Sequence, residues 1–122
     1  MSRWWLAVLA FVGVTVVMLW PMGGSGMPSS WPHLDKLVHF AAWFVLAVAL
    51  WPSVRKWIGG SLGRVAVIVL ALGVWGVAVE LLQGLTPTRT PDAWDALADF
   101  LGGLAGAVAM LVYDRKATER TS

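Results

Sequence analysis

The fold is decided by residues 80–106, which read ELLQGLTPTRTPDAWDALADFLGGLAG. The stretch opens inside one long apolar run and closes inside another, with a turn containing Pro and Thr between them. An ionisable side chain inside such a run, as at Glu80, costs roughly 2.5 kcal/mol or more. The ionisable and amide side chains of the stretch are Glu80, Gln83, Arg89, Asp92, Asp95 and Asp99. Because such side chains are costly beside apolar segments, their grouping around one turn indicates that they act together.

The composition is typical of a polytopic membrane protein. The 122 residues are 58% hydrophobic and 13% charged, whereas a soluble domain is about a quarter charged. The mean hydropathy is +0.72. The net charge of +2 does not indicate nucleic-acid binding, because Lys and Arg are confined to short connections beside apolar segments. The absence of cysteine excludes disulfides and thiolate metal sites.

Four apolar segments predict an all-α fold, an integral membrane bundle of four transmembrane helices. They cover about residues 4–20, 36–51, 65–85 and 94–113, with a charged tail after the last. Pro52 is expected to end the second helix. The first segment, after Arg3, also fits a signal peptide, but it is longer than the usual apolar region of one and lacks a cleavage pattern, so we expect a retained helix. Short connections make neighbouring helices antiparallel and indicate a single domain over residues 1–122.

The distribution of basic residues predicts the orientation in the membrane. One side would hold seven of them: Arg3, Arg55, Lys56, Arg64, Arg115, Lys116 and Arg120. The other side holds Lys36 and Arg89. The positive-inside rule then places both termini in the cytoplasm. Most tryptophans lie near the two predicted interfaces, whereas Trp43 and Trp75 lie in mid-span and are expected to pack within the bundle.

This topology brings polar residues from three helices to one level. The second helix runs inward, so Lys36 and His39 lie near its outer end. The third runs outward and places Glu80 roughly 7–8 Å below its outer end. The fourth runs inward again, with Asp95 at its mouth and Asp99 one turn deeper on the same face. We therefore expect a polar site just inside the extracytoplasmic surface.

The expected cluster carries an excess of acid. Its carboxylates are Asp35, Glu80, Asp92, Asp95 and Asp99, and its cations are Lys36 and Arg89. In a rim of low dielectric constant the excess is relieved by protons on carboxylates, by a charged His39, or by a cation bound among them. These alternatives stay open, the metal ligands are unknown, and no cofactor is predicted.

Each polar signal also has a purely structural explanation. Asp35 and Asp95 are typical of helix N-caps and first turns. Glu80 is explained as a structural partner of Arg89, and Asp92 as a solvated loop charge. Close helix packing explains the glycines Gly73, Gly76, Gly102, Gly103 and Gly106.

Three motifs carry a family resemblance. They are D-K-x-x-H-F at Asp35, Lys36, His39 and Phe40, E-x-x-Q at Glu80 and Gln83, and R-x5-D-x3-D-x2-G-x3-G at Arg89, Asp95, Asp99, Gly102 and Gly106. The combined pattern resembles the VanZ-like family over residues 35–106, although that family usually has Asn at the position of Asp99. The resemblance implies a small multi-pass protein of the bacterial inner membrane, associated with teicoplanin resistance. It implies no particular reaction.

Two classes of function fit this site. The first is a cell-envelope protein, in contact with membrane lipids, whose extracytoplasmic pocket binds or modifies a lipid-linked or glycopeptide-related ligand. The candidate acid–base residues are then Glu80, His39 and Asp95. The candidate ligand-binding residues are Asp35, Lys36, Gln83, Arg89 and Asp99, among which the two cations suit phosphate. The alternative is a non-catalytic membrane module whose polar cluster only locks the helices together. Ion conduction ranks last, because no polar path crosses the inner leaflet, and enzyme activity stays an open question.

Overall fold

A computed structural model describes residues 4–19, 34–85 and 92–122. This part of the chain forms four α-helices: α1 (Trp4–Leu19), α2 (Leu34–Trp57), α3 (Ser61–Gly84) and α4 (Ala93–Thr121). No strand occurs within the described ranges, and the all-α prediction is confirmed. Several positions used in the sequence interpretation lie outside the described residues: Arg3, Trp20, the loop at 22–30, and Arg89.

Three of the four helices are long and apolar enough to cross a membrane. They are α2, α3 and α4, with 24, 24 and 29 residues. At 1.5 Å per residue each extends about 36 Å or more, compared with about 30 Å for the hydrocarbon core of a bilayer. The apolar α1 has 16 residues, which gives about 24 Å.

The predicted end of the second helix at Pro52 is wrong, because α2 continues through this residue to Trp57. An internal proline removes one backbone hydrogen bond and costs about 3 kcal/mol or more. Contacts with α4 on both sides of the proline hold the helix together. Trp51 donates its indole N–H to Asp114 Oδ2 at 2.7 Å, and Arg55 Nη1 lies 3.3 Å from Asp114 Oδ1.

The last helix is also longer than predicted, since α4 includes nearly all of the charged tail and ends at Thr121. Arg, Lys, Ala and Glu in this tail are strong helix formers. The hydroxyls of Thr118 and Thr121 donate to the carbonyls of Asp114 and Ala117, each one turn earlier. Composition and local hydrogen bonding therefore continue the helix beyond the apolar segment.

Two tryptophans connect helices in the interior, as predicted. Trp43 of α2 is fully buried and donates its indole N–H to the backbone carbonyl of Leu72 on α3, at 2.9 Å. Trp75 of α3 donates to Thr15 Oγ1 of α1 at 3.2 Å, and its ring lies 4.8 Å from that of Phe11. Each indole therefore buries apolar area while its polar atom is satisfied.

The glycines of α4 allow α2 to approach closely. A Cβ added at Gly102 would overlap the carbonyl oxygen of Phe40. A Cβ at Gly106 would lie 2.6 Å from the carbonyl oxygen of Phe44 and 2.8 Å from the Cβ of Ala47. The predicted small-residue packing is thus present at these two positions, where backbone meets backbone. This approach sets how closely the polar residues of the two helices meet.

Candidate functional site

The described polar residues of the motifs meet where α2 and α4 begin and α3 ends. Asp35, Lys36 and His39 lie in the first two turns of α2, and Asp95 and Asp99 lie in the first two turns of α4. Glu80 and Gln83 lie in the last two turns of α3. Most of these side chains are buried: His39, Glu80, Gln83, Asp95 and Asp99.

His39 lies at the centre of this site, among four carboxylates. Its Nδ1 lies 2.8 Å from Asp99 Oδ1, within hydrogen-bond distance, and 4.0 Å from Glu80 Oε1. Its Nε2 lies 3.8 Å from Asp35 Oδ1 and 3.9 Å from Asp95 Oδ2. With Asp99 ionised, Nδ1 must be the protonated nitrogen, because a carboxylate only accepts hydrogen bonds. We name these five residues the histidine cluster.

Lys36 and Asp92 form the rim beside the histidine cluster. Lys36 Nζ lies 3.1 Å from Asp92 Oδ2 and 3.4 Å from Asp95 Oδ1. The other oxygen of Asp92 accepts the backbone N–H of Trp94 at 2.9 Å, so this residue is the N-cap of α4. The Trp94 N–H, and then the Lys36 ammonium, hold the pKa of the Asp92 carboxyl below its usual range.

This geometry corrects one structural assignment made from the sequence and decides between two alternatives in another. Asp92 is not a free loop charge, because it caps α4 and pairs with Lys36. Of the two roles considered for Asp95, N-cap or first-turn acid, the second is present, since Asp95 lies in the first turn of α4 with its side chain buried. The N-cap at Asp92 was not recognised because Pro91 and Asp92 were both compatible with a loop. The sequence alone did not show which acid precedes the first helical residue.

Glu80 connects α3 to the start of α4. Its Oε2 accepts the backbone N–H of Asp92, the residue before α4, at 3.1 Å. Its Oε1 is buried without a hydrogen-bond partner in the described part of the chain. The proposed pairing with Arg89 lies outside the described residues. Glu80 therefore orders the entry to α4 with one oxygen and directs the other towards His39.

Gln83 lies on the same face of α3 but makes a different connection. Its amide donates to the backbone carbonyl of Met18, near the end of α1. The described geometry therefore gives Gln83 a contact with α1, while Glu80, one turn earlier, contacts the start of α4.

Two residues that support the histidine cluster were not recognised as such from the sequence. A Cβ at Gly76 would lie 3.1 Å from Asp99 Oδ2, so the glycine leaves room for this buried carboxylate. The Trp43 ring is stacked on that of His39, with 6.1 Å between centroids. The spacing of four between Gly76 and Glu80 was an available signal, because it places both on one face of α3.

Two sets of side chains have an arrangement that suits a metal ion. One is Asp35, His39 and Asp95, and the other is His39, Glu80 and Asp99. The ligand atoms within each set lie within 4.8 Å of one another. Three buried atoms have no hydrogen-bond partner among the described residues: His39 Nε2, Glu80 Oε1 and Asp99 Oδ2. Such atoms are uncommon in proteins, and an ion is one explanation for them.

Fold and site together define a helical protein with three helices of membrane-spanning length and a histidine held among carboxylates at one end. A family model described as VanZ/LLP1 matches residues 4–114. Since this match covers most of the chain, the protein belongs to the VanZ/LLP1 family, and the resemblance seen in the motifs is confirmed. No curated protein and no solved structure matches the chain significantly.

Proposed function

We propose that this protein spans the bacterial inner membrane several times, with both termini in the cytoplasm, and binds an envelope ligand at its extracytoplasmic side. The ligand is lipid-linked or glycopeptide-related, and its polar head enters at the rim of the histidine cluster. The family match and the three apolar helices support the membrane setting. The observation that carries the binding proposal is the convergence of ionisable side chains from three helices on His39.

The exposure of the side chains gives the proposed site a direction. Asp35, Lys36 and Asp92 have 43%, 34% and 38% of their side-chain surface exposed, whereas His39 has 1%. A ligand therefore meets the rim first, and the groups that it reaches next are buried. Polar groups that converge at the end of an apolar helical bundle are typical of ligand sites.

The charges at the rim favour one kind of ligand head. Lys36 is already paired with Asp92 and Asp95, and among the described residues of the site the carboxylates outnumber the cations. A bare phosphate would meet this negative excess at close range, which is unfavourable in a partly buried site. Hydroxyl, amide or ammonium groups would instead donate to the carboxylates. The proposed ligand head is therefore a sugar or peptide portion with many hydrogen-bond donors.

The Asp99–His39 pair gives the site a capacity for proton transfer. A carboxylate that accepts from one imidazole nitrogen fixes the ring and its tautomer, and the other nitrogen is then the acid or base. Here that nitrogen is Nε2, which lies 3.8 Å from Asp35 Oδ1 and 3.9 Å from Asp95 Oδ2. Modification of the bound ligand would use His39 in this way, with Glu80 and Asp95 as the neighbouring acid–base groups.

The second candidate is a non-catalytic module, and the His39–Asp99 contact favours it. This contact joins α2 to α4 in the interior, and the Glu80–Asp92 hydrogen bond joins α3 to the start of α4. Both would lock the helices together without any ligand. Removing one partner of such a buried pair is strongly destabilising in either case, so a test must leave the hydrogen bonds in place.

Glu80→Gln separates the two candidates, because glutamine keeps an oxygen for the Asp92 N–H and loses only the charge and the exchangeable proton. If Glu80 has only a structural role, the substitution lowers the free energy of unfolding by at most about 1–2 kcal/mol. If Glu80 is an acid–base group, its loss typically lowers the reaction rate 10²–10⁴-fold. We expect the Glu80→Gln protein to have normal abundance and a near-normal thermal unfolding midpoint. It should no longer confer teicoplanin tolerance, and native mass spectrometry should no longer detect lipid-linked cell-wall precursor bound to it.

The matched control is Asp114→Asn, which neutralises a carboxylate at the opposite end of the α2–α4 pair. This variant should keep both the phenotype and the bound precursor. If the Glu80→Gln protein keeps full tolerance and full precursor binding at equal abundance, the charge of Glu80 has no part in function. The locking role then replaces the binding proposal.

A further inference from the structure

One side of the histidine cluster has the dimensions of a metal site. His39 Nε2 faces two carboxylate oxygens at nearly equal distances, 3.8 Å to Asp35 Oδ1 and 3.9 Å to Asp95 Oδ2. The three atoms lie within 4.8 Å of one another. A point equidistant from atoms spaced in this way is about 2.1–2.5 Å from each, close to the 2.0–2.2 Å of zinc–nitrogen and zinc–oxygen bonds.

The other nitrogen of the same imidazole is held as a metal-binding histidine requires. His39 Nδ1 lies 2.8 Å from Asp99 Oδ1, and Asp99 is fully buried. Metal-bound histidines almost always donate their second N–H to a carboxylate or carbonyl, which fixes the ring and the tautomer. With Nδ1 protonated and bonded to Asp99, Nε2 keeps its lone pair, and this nitrogen lies 3.8 Å from Asp35 Oδ1 and 3.9 Å from Asp95 Oδ2.

A proton on His39 Nε2 would not give this nitrogen a hydrogen bond. His39 Nε2 is buried without a hydrogen-bond partner among the described residues. If it carried a proton, the nearest carboxylate oxygens at 3.8 and 3.9 Å would be beyond hydrogen-bond distance. If it carried none, a lone pair would face two carboxylates in a partly buried site. A cation among the three atoms removes both difficulties.

The geometry points to a divalent transition-metal site formed by Asp35, His39 and Asp95, with Asp99 orienting the histidine. One nitrogen and two oxygen ligands suit Zn²⁺ or Mn²⁺, whereas Mg²⁺ and Ca²⁺ prefer oxygen ligands throughout. Three protein ligands leave a position open for water or a ligand atom. That position would lie towards the rim, because Asp35 is the most exposed of the three, with 43% of its side-chain surface accessible.

The alternative set of His39, Glu80 and Asp99 fits a metal less well. Its imidazole nitrogen is Nδ1, which is already at hydrogen-bond distance from Asp99 Oδ1. A metal there would displace this contact and leave Nε2 without an orienting partner. We therefore assign the metal to Asp35, His39 and Asp95. This assignment does not depend on the proposed envelope ligand, but a metal on Nε2 would take the place of the acid–base role of that nitrogen.

The test is metal binding by the full-length protein, purified in detergent and stripped with a chelator. Zn²⁺, Mn²⁺ and, for comparison, Mg²⁺ are added by equilibrium dialysis, and bound metal is measured by mass spectrometry of the element. We expect one Zn²⁺ or Mn²⁺ per chain, no comparable retention of Mg²⁺, and a metal-dependent rise in the thermal unfolding midpoint.

Variants identify the ligands, and circular dichroism checks that each one folds. Asp35→Asn is the best first variant, because this side chain is partly exposed, and it should lower affinity at least about ten-fold, as should Asp95→Asn. Asp99→Asn should lower it by about 10–100-fold, the usual effect of losing an orienting carboxylate. Asp114→Asn is remote and should bind like the parent.

Two results would overturn the assignment. One is an absence of saturable Zn²⁺ or Mn²⁺ binding by the folded parent at micromolar metal. The other is unchanged affinity in both Asp35→Asn and Asp95→Asn. Glu80→Gln decides between the two sets, since the assigned site predicts a change of only a few-fold and the alternative set predicts loss of binding. Because the readout is the metal alone, this experiment can fail while the envelope-ligand proposal stands, and the reverse also holds.

Discussion

Neighbouring glycines on α4 allow the helix contact beneath the histidine cluster to be tested by a matched pair of substitutions. Gly102→Ala adds a Cβ that overlaps the carbonyl oxygen of Phe40 and lies 2.9 Å from its carbonyl carbon. Gly103→Ala adds the same atom 3.5 Å from Leu72 Cδ1, which is an ordinary van der Waals distance. Both changes raise intrinsic helix propensity by about 1 kcal/mol. The difference between the unfolding free energies of the two variants therefore reports packing.

The magnitude follows from what each new Cβ meets. At Gly102 the obstacle is backbone, which cannot rotate away, and α2 has to move until the contact approaches the normal 3.5–4.0 Å. Overpacking of this kind typically costs about 1–3 kcal/mol. After the propensity gain, we expect Gly102→Ala to lower the free energy of unfolding by up to about 2 kcal/mol. Gly103→Ala should leave it unchanged or raise it by up to about 1 kcal/mol.

The assay is thermal unfolding of both purified variants in the same detergent, followed by circular dichroism. Phe40 directly follows His39, so the movement of α2 should also lengthen the 2.8 Å contact between His39 and Asp99. Metal affinity should therefore fall in Gly102→Ala and stay near that of the parent in Gly103→Ala. Equal unfolding midpoints for the two variants would refute the close backbone contact between α2 and α4.

Three further predictions concern other parts of the fold. A phosphatase reporter fused after Gly84 should be active and one fused after Gly60 inactive, and the reverse pattern would overturn the proposed topology. Trp51→Phe removes the indole donor 2.7 Å from Asp114 Oδ2 and should cost about 1–3 kcal/mol in thermal unfolding; an unchanged midpoint would show that this contact does not stabilise the fold. Asp92→Asn should destabilise at neutral pH, because the native state holds the pKa of this carboxyl low. The stability that the Asp92 carboxylate contributes is present above the unfolded pKa of about 4 and is lost as pH falls through the folded pKa. The difference in unfolding free energy between variant and parent should therefore vanish in acid, and a larger difference in acid would contradict the prediction.

The arrangement of the site was largely predictable from the sequence, since it depends on two regular features. Helical periodicity places Asp35 and His39 on one face, as it does Asp95 and Asp99. Antiparallel connections then bring the start of α2, the end of α3 and the start of α4 to one level. Glu80 lies at the same level because it is about one turn from the end of α3. These relations need only the helix repeat and the order of the segments.

Details that depend on individual tertiary contacts were not predictable. Pro52 favours a helix end, yet Asp114, more than sixty residues away, holds the helix on both sides of this proline through Trp51 and Arg55. The match between Gly76 and Asp99 was hidden for the same reason, because it depends on the rotation of α3 against α4. Local propensity is a weak guide wherever such distant contacts contribute several kcal/mol.

The α2–α4 pair is attached by polar contacts at both ends, through Asp99 at one and Asp114 at the other. Between them the two backbones touch at Gly102 and Gly106. Deleting a single residue from either helix between these points would rotate everything beyond it by about 100° and shift it by about 1.5 Å. Both attachments could not then form together. The length of this interval should therefore be fixed during divergence of the family, while apolar residues facing outward are exchanged freely.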